Sequence, residues 1–243
     1  MRYLHPKCLS YRILPGAIAS AGAAVARGIT GLGLILLLAF AVSQPARAAT
    51  ILVVGDSLSA AHGINRDDGW INLMRKRLET ETPGAHTVIN ASISGDTTAG
   101  GLERLPRALK EHAPDIVLLE MGGNDGLQGL PPARMQRNLA QMIEKSQAAG
   151  AHVALLGILV PPNYGSAYTQ AFADVYPTLS QQYDIPLVPF ILEGVALNDA
   201  LMQDDQIHPN AQGQPIILDN VWPVVETLLD QASSNDKERA NRN

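Results

Sequence analysis

The sequence contains a single cysteine, Cys8, which precedes an apolar run near the N-terminus instead of following it. Cys8 is therefore not placed for lipid attachment at a cleavage site. Beyond residue 48 there is no cysteine, which excludes both a disulfide and a thiolate metal site in that part of the chain. No two histidines there are spaced as metal ligands. We therefore expect no metal and no cofactor.

Acidic side chains are absent from residues 1–48, which carry five basic ones. The apolar run in this segment, residues 31–42, has only 12 residues, whereas a bilayer-spanning helix needs about 20. A basic segment, a short apolar run and a small-x-small site at Ala46-Arg47-Ala48 are typical of a secretory signal peptide. We predict cleavage near Ala48 and a location in the periplasm or outside the cell. An uncleaved membrane anchor is the alternative.

Basic residues are scarce in the remainder, where 195 residues carry 13 basic and 23 acidic side chains, a net charge of −10. This balance argues against nucleic-acid binding, which depends on basic patches. The length fits one domain with a sizeable core, and no repeat or linker divides it. We assign residues 49–232 to this domain and the polar residues 233–243 to a disordered tail.

Five short apolar segments alternate with segments of helical periodicity. The apolar segments are residues 51–54, 86–91, 116–121, 152–158 and 185–189, and the helical ones are 70–78, 101–112, 131–149, 167–183 and 210–229. The apolar segments lack a polar alternation, which is typical of parallel strands covered on both faces by helices. We predict a three-layer α/β/α domain with a five-stranded parallel sheet, whose last, proline-bearing strand lies at an edge.

Residues able to perform acyl transfer follow the predicted strands, and such a sheet binds ligands at the carboxyl ends of its strands. Ser57 is a candidate nucleophile, and a serine needs a histidine base that a carboxylate orients. Asp205 and His208 lie three residues apart, so that one turn can bring the carboxylate to the imidazole. The backbone N–H groups of Ser57 and Gly95, with the side-chain amide of Asn124, would form an oxyanion hole.

Several neighbouring residues admit more than one interpretation. Asp204 competes with Asp205 as the orienting carboxylate, although the three-residue spacing favours Asp205. We expect Asp56 and Asp125 to hold their loops through backbone hydrogen bonds. His62 lies either at the mouth of the site or, as we prefer, on the surface without a role.

The apolar loop at residues 159–165 is rich in turn residues. One hypothesis is that Leu159, Pro161 and Tyr164 line an acyl-binding pocket and that the loop moves when substrate binds. The alternative is a rigid surface connection.

Four segments together carry a family resemblance. They are Gly55-Asp56-Ser57-Leu58, Gly95-Asp96-Thr97, Gly122-Gly123-Asn124-Asp125 and Asp205-Gln206-Ile207-His208-Pro209. In this order they resemble the four blocks of the SGNH (GDSL) hydrolases, and they span essentially all of the chain beyond residue 48. The sequence is most similar to the branch of periplasmic thioesterase I/protease I/lysophospholipase L1 enzymes and arylesterases. The G-x-S-x-G motif of the larger α/β-hydrolases is absent.

The resemblance implies a flavodoxin-like sheet with Ser57 as nucleophile, His208 as base and Asp205 as its orienting carboxylate, and it assigns the oxyanion hole to Ser57, Gly95 and Asn124. It implies a serine esterase that hydrolyses acyl thioesters, lysophospholipids and aryl or short-chain esters through an acyl-enzyme. We expect a monomer that acts on small-molecule or lipid esters and makes transient contact with lipid surfaces. The alternatives are an acetylesterase acting on polysaccharide or peptidoglycan and a catalytically silent binding protein.

Overall fold

Five parallel strands form the central sheet, in the order β2-β1-β3-β4-β5. They are β1 (Ala49–Gly55), β2 (His86–Asn90), β3 (Ile116–Glu120), β4 (His152–Leu156) and β5 (Leu187–Val188). All of β3 is buried, and so is β1 except at its second residue. Because apolar runs without alternation are buried on both faces, the prediction of a parallel sheet is confirmed. The fifth strand lies at an edge as predicted, but it is confined to Leu187–Val188, between the two prolines.

The computed structural model describes residues 48–240, with side chains described as far as residue 234. The predicted signal peptide therefore lies outside the described residues except for Ala48. Within residues 48–240, every helix is too short or too polar to cross a membrane.

Helices cover both faces of the sheet. They are α1 (Trp70–Glu81), α2 (Thr98–His112), α3 (Gly123–Leu127), α4 (Pro132–Ala148), α5 (Ser166–Ala173), α6 (Val175–Tyr183) and α7 (Gln214–Ala240). The helices α1 and α7 pack together, and α4 packs against both α2 and α6. The buried face of α1 presents Trp70, Ile71, Met74 and Leu78 to the core, a spacing that one side of a helix produces. The predicted α/β/α architecture is thus confirmed.

The helices predicted over 167–183 and from residue 101 differ from those in the structure. The segment predicted as one helix over 167–183 is divided into α5 and α6 at Asp174. Pro177 therefore lies in the first turn of α6, where its missing N–H leaves no helical bond unmade. The helix predicted from residue 101 begins at Thr98 instead, because the Asp125 carboxylate accepts bonds from the Thr98 backbone N–H (2.7 Å) and hydroxyl (2.6 Å).

The last helix, α7, continues to Ala240, into the segment for which polarity predicts a disordered tail. The hydroxyl groups of Ser233 and Ser234 donate to the carbonyls of Leu229 and Asp230, each at 2.9 Å. The next residues include lysine, glutamate, arginine and alanine, which favour helices. Residues 233–240 are therefore helical in the structure, and residues 241–243 lie outside the described part.

Candidate active site

A continuous chain of hydrogen bonds joins Ser57, His208 and Asp205 at the carboxyl edge of the sheet. His208 Nε2 lies 2.9 Å from Ser57 Oγ, and His208 Nδ1 lies 2.6 Å from Asp205 Oδ2. Ser57 follows β1, whereas the other two residues lie in the loop before α7, so the fold brings together residues 151 positions apart. In this arrangement the imidazole can accept the serine proton while its other nitrogen donates to a carboxylate.

The Asp205 carboxylate is held by its own loop. Its Oδ1 accepts hydrogen bonds from the backbone N–H groups of Ile207 and His208, each at 2.9 Å. Partial burial raises the pKa of Asp205, but the bonds from the His208 ring and from these two N–H groups outweigh it and bring the pKa to about 2. The carboxylate is therefore charged at all working pH values. Asp204, its competitor in the sequence, is exposed, and the carboxylate that meets the imidazole is that of Asp205.

The loop after β1 is a series of turns over residues 57–63 and contains no regular helix. The Ala60 N–H donates to the Asp56 carbonyl (3.0 Å), and the Leu58 N–H donates to Asp56 Oδ1 (3.1 Å), which gives Asp56 the expected loop-holding contact. Within residues 48–240, neither the Ser57 N–H nor the Gly95 N–H donates a hydrogen bond. Both donors are therefore available to an anion.

Asn124, in α3, connects three of the loops at this edge. Its Nδ2 donates to Asp56 Oδ2 (3.1 Å) and to the Asp96 carbonyl (3.0 Å). Burial raises the pKa of Asp56 to about 6, although hydrogen bonds from the Leu58 N–H and Asn124 oppose the rise. Since both amide protons of Asn124 are engaged, one of these bonds has to be exchanged before the amide can donate to a substrate oxygen.

Gly95 occupies the loop after β2 with a φ of +81°. A Cβ at this position would meet nothing within 4 Å. Glycine is therefore required by the left-handed backbone conformation and not by crowding within the protein. The next residue in the loop, Asp96, accepts the bond from Asn124 through its carbonyl.

Glu120 is an important residue of the site that the sequence analysis does not identify. It is fully buried at the end of β3, and its Oε2 accepts bonds from Ser59 Oγ (2.7 Å) and the Asp56 N–H (3.2 Å). Burial, reinforced by the nearby Asp56 charge, raises the pKa of Glu120 well above its usual value. The sequence feature that could have identified Glu120 is a single carboxylate at the end of an otherwise apolar strand. Burying a charged carboxylate there has a large desolvation cost.

Arg104, on α2, is a second residue missed from the sequence. Its guanidinium donates to Asp96 Oδ2 (2.7 Å), to the Gly55 carbonyl (3.1 Å) and to the Ala91 carbonyl. It thereby joins the loops that carry Ser57 and Gly95. Nothing in its sequence context marks it, because a basic residue on a helix usually faces solvent.

A cavity of about 300 Å³ opens beside Ser57 and Asn124. Its wall is mainly apolar and includes the predicted residues Leu159 and Pro161. The third predicted residue, Tyr164, is not part of the wall. Its hydroxyl group instead donates to the Leu127 carbonyl (2.8 Å), so it fastens the loop to the end of α3. A role of Tyr164 in substrate binding therefore stays a prediction.

His62 lies on the surface, as its preferred interpretation has it, but beside the catalytic loop. Its side chain is exposed, but its ring centroid lies 4.4 Å from that of His208. The spacing of five residues from Ser57 gave no indication of this contact, since the partner lies in a distant loop.

Among residues 48–240, no group of three or more histidine, cysteine, aspartate or glutamate side chains is arranged to hold a metal ion.

Comparisons with known proteins agree with this geometry. A family model described as "GDSL-like Lipase/Acylhydrolase family" matches residues 53–216. "Esterase TesA" of Pseudomonas aeruginosa is 53% identical over 187 residues, which cover 77% of this chain and 92% of that protein. "Thioesterase 1/protease 1/lysophospholipase L1" of Escherichia coli K12 is 42% identical over 198 residues, covering 82% and 93% of the respective chains.

A solved structure of similar fold is the psychrotrophic esterase EstA from Pseudoalteromonas sp., inhibited by monoethylphosphonate. It is 41% identical, with a TM-score of 0.71, and the match covers 75% of this chain and 99% of that one. The family match extends over more than half of the chain, from the last residues of β1 through the nucleophile loop to the histidine loop. The chain belongs to the GDSL-like lipase/acylhydrolase family, and it is a hydrolase of the SGNH type.

Proposed function

We propose that this protein hydrolyses carboxylic esters and thioesters through an acyl-enzyme formed on Ser57. The observation that carries the proposal is the unbroken chain of hydrogen bonds from Ser57 Oγ through His208 to Asp205. Ser57 Oγ attacks the substrate carbonyl carbon while His208 Nε2 takes its proton. His208 then returns that proton to the leaving alcohol or thiol. A water molecule, activated by the same imidazole, releases the acid and regenerates the serine.

The oxyanion of each tetrahedral intermediate would be bound by the N–H groups of Ser57 and Gly95 and by the amide of Asn124. The two N–H groups are free of protein partners in the described residues, which supports this role. A donor of this kind stabilises the transition state by about 3–4 kcal/mol. Asn124 would join when one of its bonds, to Asp56 or to the Asp96 carbonyl, gives way to the substrate oxygen.

The cavity supports substrates with an apolar acyl group. Of the five exposed large apolar side chains in the described residues, four lie on its wall: Leu127, Leu159, Leu197 and Ile207. An apolar rim around a catalytic serine favours acyl thioesters, lysophospholipids and other lipid esters over acetylated carbohydrate, which would need a polar groove. The names of the relatives, which include a thioesterase and a lysophospholipase, agree with this choice. The rim would make brief contact with lipid surfaces.

We further propose that the enzyme acts as a monomer outside the cytoplasm, in the periplasm or the medium. The support for export is the sequence of residues 1–48, with its basic segment, its short apolar run and its Ala46-Arg47-Ala48 site. N-terminal sequencing of the exported protein tests the cleavage. A first residue at Ala49 supports it, whereas an intact N-terminus favours the anchor.

The function is tested by expressing the full chain, purifying the product and measuring hydrolysis of p-nitrophenyl esters from acetate to palmitate. Ser57→Ala is measured in parallel and should lower turnover by about 10⁴–10⁶-fold. If the wild type prefers esters of medium or long chain length and Ser57→Ala is inactive, the result supports a lipid esterase. Cleavage of acetate alone would favour the acetylesterase alternative. Equal inactivity of both proteins on every ester would refute ester hydrolysis and favour the binding protein.

A further inference from the structure

The contact between His62 and His208 joins the catalytic loop before α7 to the loop after β1. The ring centroids lie 4.4 Å apart with 43° between the ring planes. Both nitrogens of His208 are already engaged, Nε2 by Ser57 and Nδ1 by Asp205. His62 therefore meets the surface of the ring and does not compete for either nitrogen.

Hydrogen bonds of the His62 backbone N–H and carbonyl hold the residue in this position. The His62 N–H donates to the Ser57 carbonyl (3.2 Å), and its carbonyl accepts a bond from Gln203 Nε2 (2.8 Å). The Gln203 N–H in turn donates to the His208 carbonyl (2.8 Å). One residue, Gln203, thus binds the backbones of both histidines and fixes their separation.

Local conformation shows that the approach of these loops is specific. Ala61 has a φ of +58° and Gly63 a φ of +72°, both in the left-handed region. A Cβ on Gly63 would lie 2.1 Å from Gln203 Oε1, so a larger residue here would displace the Gln203 amide that binds the His62 carbonyl. A non-glycine residue in this region, as at Ala61, carries backbone strain that the surrounding bonds must offset.

Charged groups near His62 and His208 determine how a charge on His62 would affect His208. Besides His62 itself, the charged or titratable groups on the two loops, residues 56–69 and 189–213, are Asp56, Arg66, Asp67, Asp68, Glu193, Asp199, Asp204, Asp205 and His208. Of these, Asp205 is in contact with His208, and Asp56 interacts with it electrostatically. Both favour a positive charge on the His208 ring. His62 contacts this ring and is itself a side chain that can carry a positive charge.

We propose that His62 is a positioning residue for the catalytic base: its ring holds the His208 imidazole against Ser57, and its charge opposes the imidazolium that forms on His208 during acyl transfer. The inference rests on the proposed role of His208 as base. While His62 is neutral, the contact only orients the ring. When His62 is protonated, two like charges lie in contact and the transition state is disfavoured.

The test compares His62→Lys with His62→Met, two flexible side chains that differ chiefly in charge. Full-length protein is expressed, purified and assayed for kcat/KM from pH 5 to 9. The lysine charge should lower the plateau by about two- to fivefold relative to methionine and move the midpoint of the acid limb down by about 0.3–0.7 pH unit. Both differences should shrink between about 0.01 M and 1 M salt, where the Debye length falls from about 30 to 3 Å.

Ring contact is tested by His62→Phe and His62→Ala. Phenylalanine keeps an aromatic ring against His208 and should retain kcat within about twofold, whereas alanine should lower kcat about three- to tenfold with little change in KM. His112, at the end of α2 on the opposite edge of the sheet, provides the matched control. His112→Lys and His112→Met should give superimposable pH profiles.

Superimposable profiles of His62→Lys and His62→Met at low salt would overturn the proposal, as would a loss in His62→Ala confined to KM. Ser57→Ala separates this failure from failure of the proposed function. If Ser57→Ala is inactive while the His62 variants match the wild type, only the role of His62 is refuted. If Ser57→Ala keeps full activity, the catalytic assignment itself is wrong.

Discussion

Glu120 Oε2 accepts a 2.7 Å hydrogen bond from Ser59 Oγ, two residues beyond the nucleophile. The same oxygen accepts the Asp56 N–H, so a single fully buried carboxyl group holds the loop on both sides of Ser57. Its other oxygen, Oε1, has no hydrogen-bond partner within the described residues. A charged carboxylate in this position would be strongly destabilised, which is the cause of the raised pKa of Glu120.

Glu120→Gln and Glu120→Ala test this arrangement. Glutamine is neutral, similar in size, and can accept both bonds through its Oε1, so we expect wild-type thermal stability and kcat within about threefold. Alanine leaves the Ser59 hydroxyl and the Asp56 N–H without their acceptor and should lower the free energy of unfolding by about 2–3 kcal/mol. Equal destabilisation by both variants, measured by urea denaturation, would show that the buried group must be charged.

Asp205→Asn tests the orienting carboxylate, with Asp204→Asn as its matched control. An asparagine cannot stabilise the imidazolium and permits the wrong ring tautomer, so kcat should fall about 10²–10⁴-fold. Asp204 is exposed and does not contact His208, so its variant should keep kcat within about twofold. Hydrolysis of a p-nitrophenyl ester at pH 8 measures both. A similar fall in the two variants would contradict the assignment.

Asp56→Asn tests the pH dependence of stability. Burial raises the pKa of Asp56 to about 6, above the value near 3.9 of an unfolded chain. Between these values the folded state binds the proton more tightly than the unfolded state, so this group destabilises the fold as the pH rises through that window. The free energy of unfolding of the wild type, minus that of Asp56→Asn, should therefore decrease by on the order of 2 kcal/mol from pH 4 to 7.

Asp205→Asn is the control for that experiment because the pKa of Asp205 is shifted in the opposite direction from that of Asp56. The pKa of Asp205 is lowered to about 2, so its contribution to stability is present above the unfolded value near 3.9 and is lost as the pH falls toward 2. The difference in the free energy of unfolding between the wild type and Asp205→Asn should stay nearly constant from pH 5 to 7. A sloping difference for Asp205→Asn, or a flat one for Asp56→Asn, measured by chemical denaturation, would contradict the electrostatic account.

The sheet was predictable from sequence because most of its strands are largely apolar, a pattern that depends only on neighbouring residues. The meeting of Ser57 with His208 was predictable because parallel strands bring their carboxyl ends to one edge and because the four motifs occur in family order. Each of these inferences combines a local pattern with a general rule of α/β folds.

Other features depend on contacts between distant parts of the chain, which no local pattern encodes. Arg104 binds the carbonyl of Gly55, 49 residues away, and Tyr164 binds the carbonyl of Leu127, 37 residues away. The contact of His62 with His208 is of the same kind. Glu120 did leave a sequence signal, an isolated acid in a buried strand, but its partners could be found only from the folded structure.

Substitutions in the loop at residues 159–165 test the cavity wall. Leu159 is exposed and lies on the wall, so Leu159→Trp should fill part of the cavity and lower kcat/KM for the octanoate and longer esters about tenfold relative to acetate, since each excluded methylene costs about 1–3 kcal/mol. Tyr164 is not on the wall, and Tyr164→Phe removes only the 2.8 Å bond to the Leu127 carbonyl. Its chain-length preference should therefore match the wild type. If Tyr164→Phe changed the acyl-chain preference and Leu159→Trp did not, the acyl chain would bind outside this cavity. The loop would then affect the preference through its position and not through contacts of its side chains with the substrate.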